Sequence, residues 1–304
     1  MDRRRFVRSS VRAAAGGWVL SQTACGPDGA RGEDPAGGSG DGPDPSPGGS
    51  ATGASLPALD RIGLQLYTVR SLMAESVDRT LELVAGVGYR EVEFAGLFDR
   101  TAAQVRATLD RVGLTAPATH HGIDVFRDGF DEAVEVAATL GHDYLILPSL
   151  PRVALASVDG ARRMADEMNT IGERCGAAGL RFGFHNHADD LQAVDGEIPL
   201  RIFLEGTEPE LVTFEVDLFW LVQGGGDPLE YIETYPGRFE LCHVKDRTAG
   251  GDMVDVGDGV IDFPAIFAQA GRAGLRHYFV EHDTPGDAAA SIEASFNHLA
   301  GLSV

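Results

Sequence analysis

One join recurs along the chain: a stretch with apolar residues every three or four positions ends at a glycine, and a short apolar run follows within a few residues. It appears as "AGVGYREVEF", "DRVGLTAPATH", "TLGHDYLILP", "AAGLRFGFHNH", "YPGRFELCHVKD" and "AGLRHYFVEHD". Glycine after a helix supplies the left-handed conformation that ends it and lets the chain turn back. With "RIGLQLYT" before these joins and "LVTFEVD" among them, the pattern predicts eight strands. Helical periodicity lies between them, as over Asp131–Leu140 and Gly160–Ala178. Strict alternation of strand and helix predicts a parallel sheet, and eight units predict a closed (β/α)₈ TIM barrel. A doubly wound open sheet is disfavoured, because no glycine-rich phosphate fingerprint follows the first strand.

The barrel is expected over residues 56–304, close to the ~250 residues such barrels need. Residues 1–25, "MDRRRFVRSSVRAAAGGWVLSQTAC", have a basic start, a mildly apolar middle and small residues before Cys25, as a twin-arginine-type export signal does. Cys25 stands where a lipoprotein cysteine would, although Gln22 replaces the leucine such signals prefer, so both free and lipid-anchored exported forms stay open. Residues 26–55 are rich in Gly, Pro, Ser and Asp and have almost nothing apolar to bury, which predicts a disordered linker. The expected location is therefore the periplasmic side of a membrane. A net charge of −21 argues against nucleic acid, whose binding runs on clustered Lys and Arg. Cys175 and Cys242 fall in a helical and a strand pattern and read as small buried residues, with no disulfide framework.

Chemistry belongs at the C-terminal ends of barrel strands. Those ends carry Gln65, Glu93, His120 and His121, His185-Asn186-His187, Asp217, His243 with Lys245 and Asp246, and Glu281-His282-Asp283. Alternation puts His243 and Lys245 on one face, Glu215 and Asp217 on another, and Glu91 with Glu93 on a third, all pointing into the barrel. Carboxylates converging there need cations. His185, Asp217, His243 and Glu281 close four consecutive strands about 4.8 Å apart, so they can meet one ion. A mixed carboxylate–imidazole set suits Mn²⁺, Co²⁺, Fe²⁺ or Zn²⁺ better than Ca²⁺. Lys245 is read either as stabilising negative charge on an intermediate or as an ion pair with Glu215 or Asp246. Asp246 is a candidate for orienting a ligand, and Glu93 for binding a hydroxyl or pairing with an imidazole. Asn186, His121 and Trp220 are candidate substrate contacts, Trp220 as a stacking wall. Asp227 reads as a helix cap before Pro228, and Gly224–Gly226 as a flexible loop.

The stretches "IGLQLYTVR", "GYREVEFAG", "FGFHNH", "VDLFWLVQGGGDPLEYIETYPGRF", "HVKD" and "VGDGVIDFPAIF…FVEHD" resemble the xylose-isomerase-like TIM-barrel superfamily, in its sugar phosphate isomerase/epimerase branch. The resemblance implies a divalent metal at Asp217, His243 and Glu281. Many relatives carry a fifth-strand Glu as ligand and base; this sequence has His185 there. The expected function is a metal-dependent isomerase or epimerase of a sugar, keto-sugar or cyclitol working through an enediolate, with Glu281, His185, His187 and Lys245 as the catalytic groups. Two alternatives are a lyase or dehydratase on an oxidised sugar or glycoside, and an exported sugar-binding protein without turnover.

Overall fold

The computed structural model describes residues 61–302. The segments read as a signal (1–25) and a linker (26–55) lie outside the described residues. Eight parallel strands close a barrel: β1 Gly63–Gln65, β2 Glu91–Phe94, β3 Thr115–His120, β4 Tyr144–Leu147, β5 Arg181–His185, β6 Val212–Asp217, β7 Phe239–Val244 and β10 His277–Val280. Between the last two, a small antiparallel hairpin pairs β8 Asp246–Arg247 with β9 Met253–Val254. The barrel expected from the glycine joins is the fold observed. Gly113 and Gly141 end their helices in the left-handed conformation. The helix expected over Asp131–Leu140 spans Phe130–Leu140. The one expected from Gly160 starts at Val158, because the Ser157 hydroxyl accepts from the Gly160 N–H and so caps the helix earlier.

Register decides which side chains meet. In β5 and β6 His185 lies beside Glu215, and in β6 and β7 Asp217 lies beside His243. Below them Ala118, Tyr144, Ile146, Leu241 and Phe279 fill the barrel as an apolar plug. Gly183 makes room for that plug, since a Cβ there would stand 2.5 Å from Ile146 Cδ1. The main core lies between strands and helices, where outward residues such as Val92, Phe184 and Val216 pack. The histidine–carboxylate cluster sits above this floor, at the C-terminal ends of the strands.

Two expectations change here. Asp246 does not face a ligand. Its Oδ1 accepts from the backbone N–H groups of Arg247 (2.8 Å) and Ile261 (3.2 Å), and its Oδ2 from Gly257 (2.9 Å) and Gly259 (3.0 Å). The carboxylate thus ties down the loop from 247 to 261, which borders the mouth. Gly224–Gly226 is packed and not simply loose, because a Cβ on Gly224 or Gly226 would come within 2.8 Å of Leu191. Asp227 does cap the helix Pro228–Thr234, accepting from Leu229 N at 2.9 Å. Asp246→Ala should remove the shared acceptor of these four N–H groups and cost about 1.5–3 kcal/mol, the worth of hydrogen bonds to a charged group. Limited proteolysis is expected to cut first within 247–261, and an unchanged cleavage pattern would count against this anchoring role.

Candidate metal centre

The mouth holds two groups of donor atoms that share one imidazole. In the upper group Asp217, His243 and Glu281 each offer an atom, all within 4.8 Å of one another. His243 Nδ1 is 2.7 Å from Glu281 Oε2 and 3.8 Å from Asp217 Oδ2. In the deeper group His120, His185, Glu215 and His243 do the same. His120 Nε2 lies 2.8 Å from Glu215 Oε2, His185 Nδ1 lies 3.1 Å from it, and His243 Nε2 lies 3.2 Å from it. Glu93, Glu215, Asp217 and His243 are wholly buried.

Lys245 balances part of this charge. It is the only lysine in the sequence. Its Nζ is 2.6 Å from Glu281, 2.9 Å from Asp217 and 3.0 Å from Asp283. The expected pairing with Glu215 or Asp246 is thus corrected, because the side chain rises from the end of β7 toward the upper carboxylates. Burial works against its charge, yet the three carboxylates hold its pKa well above the ordinary lysine value. A fixed ammonium stabilises anions and is no imine-forming nucleophile. Burial likewise opposes the Glu281 charge, but Lys245 and His243 keep it well below the usual carboxylate range. Burial raises Asp217 to about 6 against the pull of Lys245 and His243. Asp217 Oδ1 caps the following helix through Trp220 N at 2.8 Å, and its Oδ2 is the oxygen that faces Lys245 Nζ at 2.9 Å.

These residues fit a divalent cation. Two carboxylates and an imidazole converge, and a single ammonium serves a site crowded with acids. His185 belongs to the deeper group: its Nδ1 faces Glu215, and its Nε2 is 3.6 Å from Asp217 Oδ2. Burial and His243 push its pKa well below the ordinary imidazole value, so it is neutral.

Glu93 is engaged through one oxygen, and its Oε1 has no hydrogen-bond partner among the described residues. Its Oε2 accepts from Gln65 Nε2 at 2.7 Å, lies 2.7 Å from His243 Nε2 and 3.2 Å from His120 Nε2. The pairing with an imidazole is the reading that stands. A carboxylate holding the far N–H of an imidazole sets its tautomer, here leaving His243 Nδ1 to face Asp217 and Glu281. Glu93→Gln is expected to weaken metal affinity about 10–100-fold with the fold intact. Titration of stripped protein with Mn²⁺ measures this, and an unchanged affinity would remove Glu93 from the site.

Three expected substrate contacts separate. Asn186 is buried and spends its amide on β6, accepting from Asp217 N at 3.0 Å and donating to Asp217 O at 3.3 Å, so it positions Asp217 instead of reaching out. His121 turns to the helix Ile123–Asp128, edge-on to Phe126 at 6.4 Å, because it follows the inward His120 and alternation sends it the other way. Trp220 stays at the mouth, half-buried, its ring 5.5 Å from that of His187. His187 is also half-buried, and its Nδ1 has no partner among the described residues. Burial, and then Lys245, lowers its pKa to about 3, so the ring is neutral. The sequence pattern chose His121 over His120 and offered Glu215 only as a partner for Lys245; strand parity was the signal for both. Beside the cluster a cavity of about 480 Å³ is lined by His282, Thr284, Met253 and the acids Asp252, Asp255 and Asp258.

A closed eight-stranded barrel with a carboxylate–imidazole cluster at its C-terminal mouth defines a TIM barrel whose mouth could hold a cation. The family model for xylose isomerase-like TIM barrels matches residues 81–302, and the chain belongs to that family. It is 26% identical over 233 residues to the inosose dehydratase of Geobacillus kaustophilus, covering 63% of this chain and 75% of that protein. A match to an inosose dehydratase of Bacillus cereus is 26% identical over 136 residues and spans 39% of this chain but only 45% of that protein. A solved sugar phosphate isomerase/epimerase from Parabacteroides distasonis superposes with a TM-score of 0.71 at 28% identity, covering 83% of this chain and 96% of that one. The relatives carry the names of enzymes, and both a lyase and an isomerase stand among them.

Proposed function

We propose that the protein dehydrates a polyhydroxylated ketone, a keto-sugar or ketocyclitol, by removing the proton beside the carbonyl and expelling a hydroxyl from the next carbon. The observation that carries this reading is His187, whose Nδ1 has no partner among the described residues while the neighbouring groups are engaged. A divalent cation held by Asp217, His243 and Glu281 would supply Lewis-acid polarisation of the ketone oxygen; Mn²⁺, Co²⁺, Fe²⁺ and Zn²⁺ all suit that donor set. His187 accepts the proton as the C–H bond breaks, and those electrons are held as an enolate on the ketone oxygen, forming the new C=C bond only as the leaving hydroxyl departs. The C–O bond of the neighbouring carbon then breaks, and the imidazolium returns its proton so that water leaves. Lys245 stabilises negative charge at the carbonyl side, and Trp220 walls the sugar ring. The inosose dehydratase relatives support this reading.

Isomerisation or epimerisation is the second reading, favoured by the name of the Parabacteroides distasonis neighbour. Epimerisation needs a second proton carrier on the opposite face of the carbon, and His185, which stands where many relatives carry Glu, is engaged with Glu215 and Asp217. Incubation with inososes and keto-sugars in D₂O decides between them. Loss of water with an enone absorbance supports dehydration, and deuterium uptake with the skeleton kept supports isomerisation. Neither would point to a sugar-binding protein without turnover. We also propose export: a reporter fused after Ser55 should reach the periplasmic side and be blocked when Arg3 and Arg4 become Lys, and cytoplasmic retention of the unaltered fusion would overturn this. Release of the protein from membranes on Cys25→Ala would identify a lipid anchor.

A further inference from the structure

We propose that the barrel binds a second divalent cation beneath the first, held by His120, His185 and Glu215. Around Glu215 Oε2, His120 Nε2 stands at 2.8 Å and His185 Nδ1 at 3.1 Å. Donor atoms on a tetrahedral ion with bonds near 2 Å are about 3.3 Å apart, so little movement separates this arrangement from a coordination shell. The residues come from β3, β5 and β6, and their donor atoms converge within 4.8 Å.

A separate observation points the same way. Glu215 Oε1 and Glu93 Oε1 are buried without a hydrogen-bond partner among the described residues, on side chains with 0% exposure. Asp217, Glu281 and Asp283 meet the one lysine, while Glu93 and Glu215 meet only histidines and Gln65. Lys245 and one divalent cation in the upper group supply three positive charges against five carboxylates. The two charges left over belong to the deep pair, Glu93 and Glu215. A buried pair of that kind is neutralised either by two imidazolium protons or by one divalent cation. His243 turns Nε2 to Glu93, and His185 turns Nε2 toward Asp217, leaving His185 Nδ1 and His120 Nε2 aimed at Glu215. Nitrogen-rich surroundings select Zn²⁺, Co²⁺ or Fe²⁺ over Mg²⁺ or Ca²⁺.

The test uses the full chain, stripped of metal, dialysed against excess Co²⁺ or Zn²⁺ and analysed for metal by mass spectrometry. The wild type is expected to hold about two equivalents, and Glu215→Gln and His120→Asn about one each. Glu281→Gln should also hold about one, having lost the upper ion, and the Glu215→Gln/Glu281→Gln double variant none. His120→Asn, at the more exposed edge of the group, keeps the test available if Glu215→Gln does not fold by thermal melting. A single wild-type equivalent that survives both Glu215→Gln and His120→Asn would overturn the proposal and assign the deep pair to protons. Failure of the upper site would appear separately, as metal undiminished in Glu281→Gln.

Discussion

His187→Ala is expected to lower turnover by roughly 10²–10⁴-fold, the usual worth of a positioned acid–base group, while bound metal is unchanged. The two effects separate because His187 belongs to neither group of candidate ligands. Its ring stands between those of His185 (4.9 Å) and Trp220 (5.5 Å), and its backbone is fixed by Asp190 Oδ2 accepting from its N–H at 2.6 Å. Removing the side chain therefore opens space at the mouth without unpairing a buried charge. His185→Ala should behave differently, losing metal together with turnover. Steady-state kinetics on whichever ketone turns over, with metal analysis of the same samples, distinguishes the two variants. Full turnover by His187→Ala would sink its assignment as proton carrier, and with it the observation on which dehydration rests.

Lys245→Met is expected to be the most destabilising single change at the mouth. It leaves Asp217, Glu281 and Asp283 facing one another without their shared ammonium. Breaking a buried ion pair by removing one partner costs about 3–5 kcal/mol, which for a domain of this size lowers Tm by roughly 10 °C. A divalent cation should restore part of that loss, because it brings positive charge to the same oxygens. Added Mn²⁺ is therefore expected to raise the Tm of Lys245→Met by more than that of the wild type. As the only lysine, Lys245 also gives a single side-chain resonance in protein labelled with ¹³C-lysine. That signal should shift when metal fills the upper group. A variant melting with the wild type, with or without Mn²⁺, would show that the ammonium carries no such weight.

Much of this protein is legible before folding is considered. Glycine joins mark where each helix must stop and each strand begin, so the strand count and the closed barrel follow from local rules. Strand alternation likewise sends Glu93, His185, Asp217, His243 and Lys245 inward, because parity is a property of the extended backbone. What local rules do not carry is distance between strands. Lys245 was expected beside Glu215 or Asp246, but strand register and the rise of β7 lift its ammonium among Asp217, Glu281 and Asp283. Asp246 looked like part of the site because it follows Lys245, and only the return of the loop to Ile261 shows that it serves backbone N–H groups. His120 and Glu215 lie 95 residues apart and meet at 2.8 Å. The sequence by itself determined the barrel, its polar mouth and the residue types available there. Tertiary structure decided which of those residues converge as candidate ligands, which hold one another, and that His187 Nδ1 is left without a partner among the described residues, since burial and partners depend on strands brought together from distant parts of the chain.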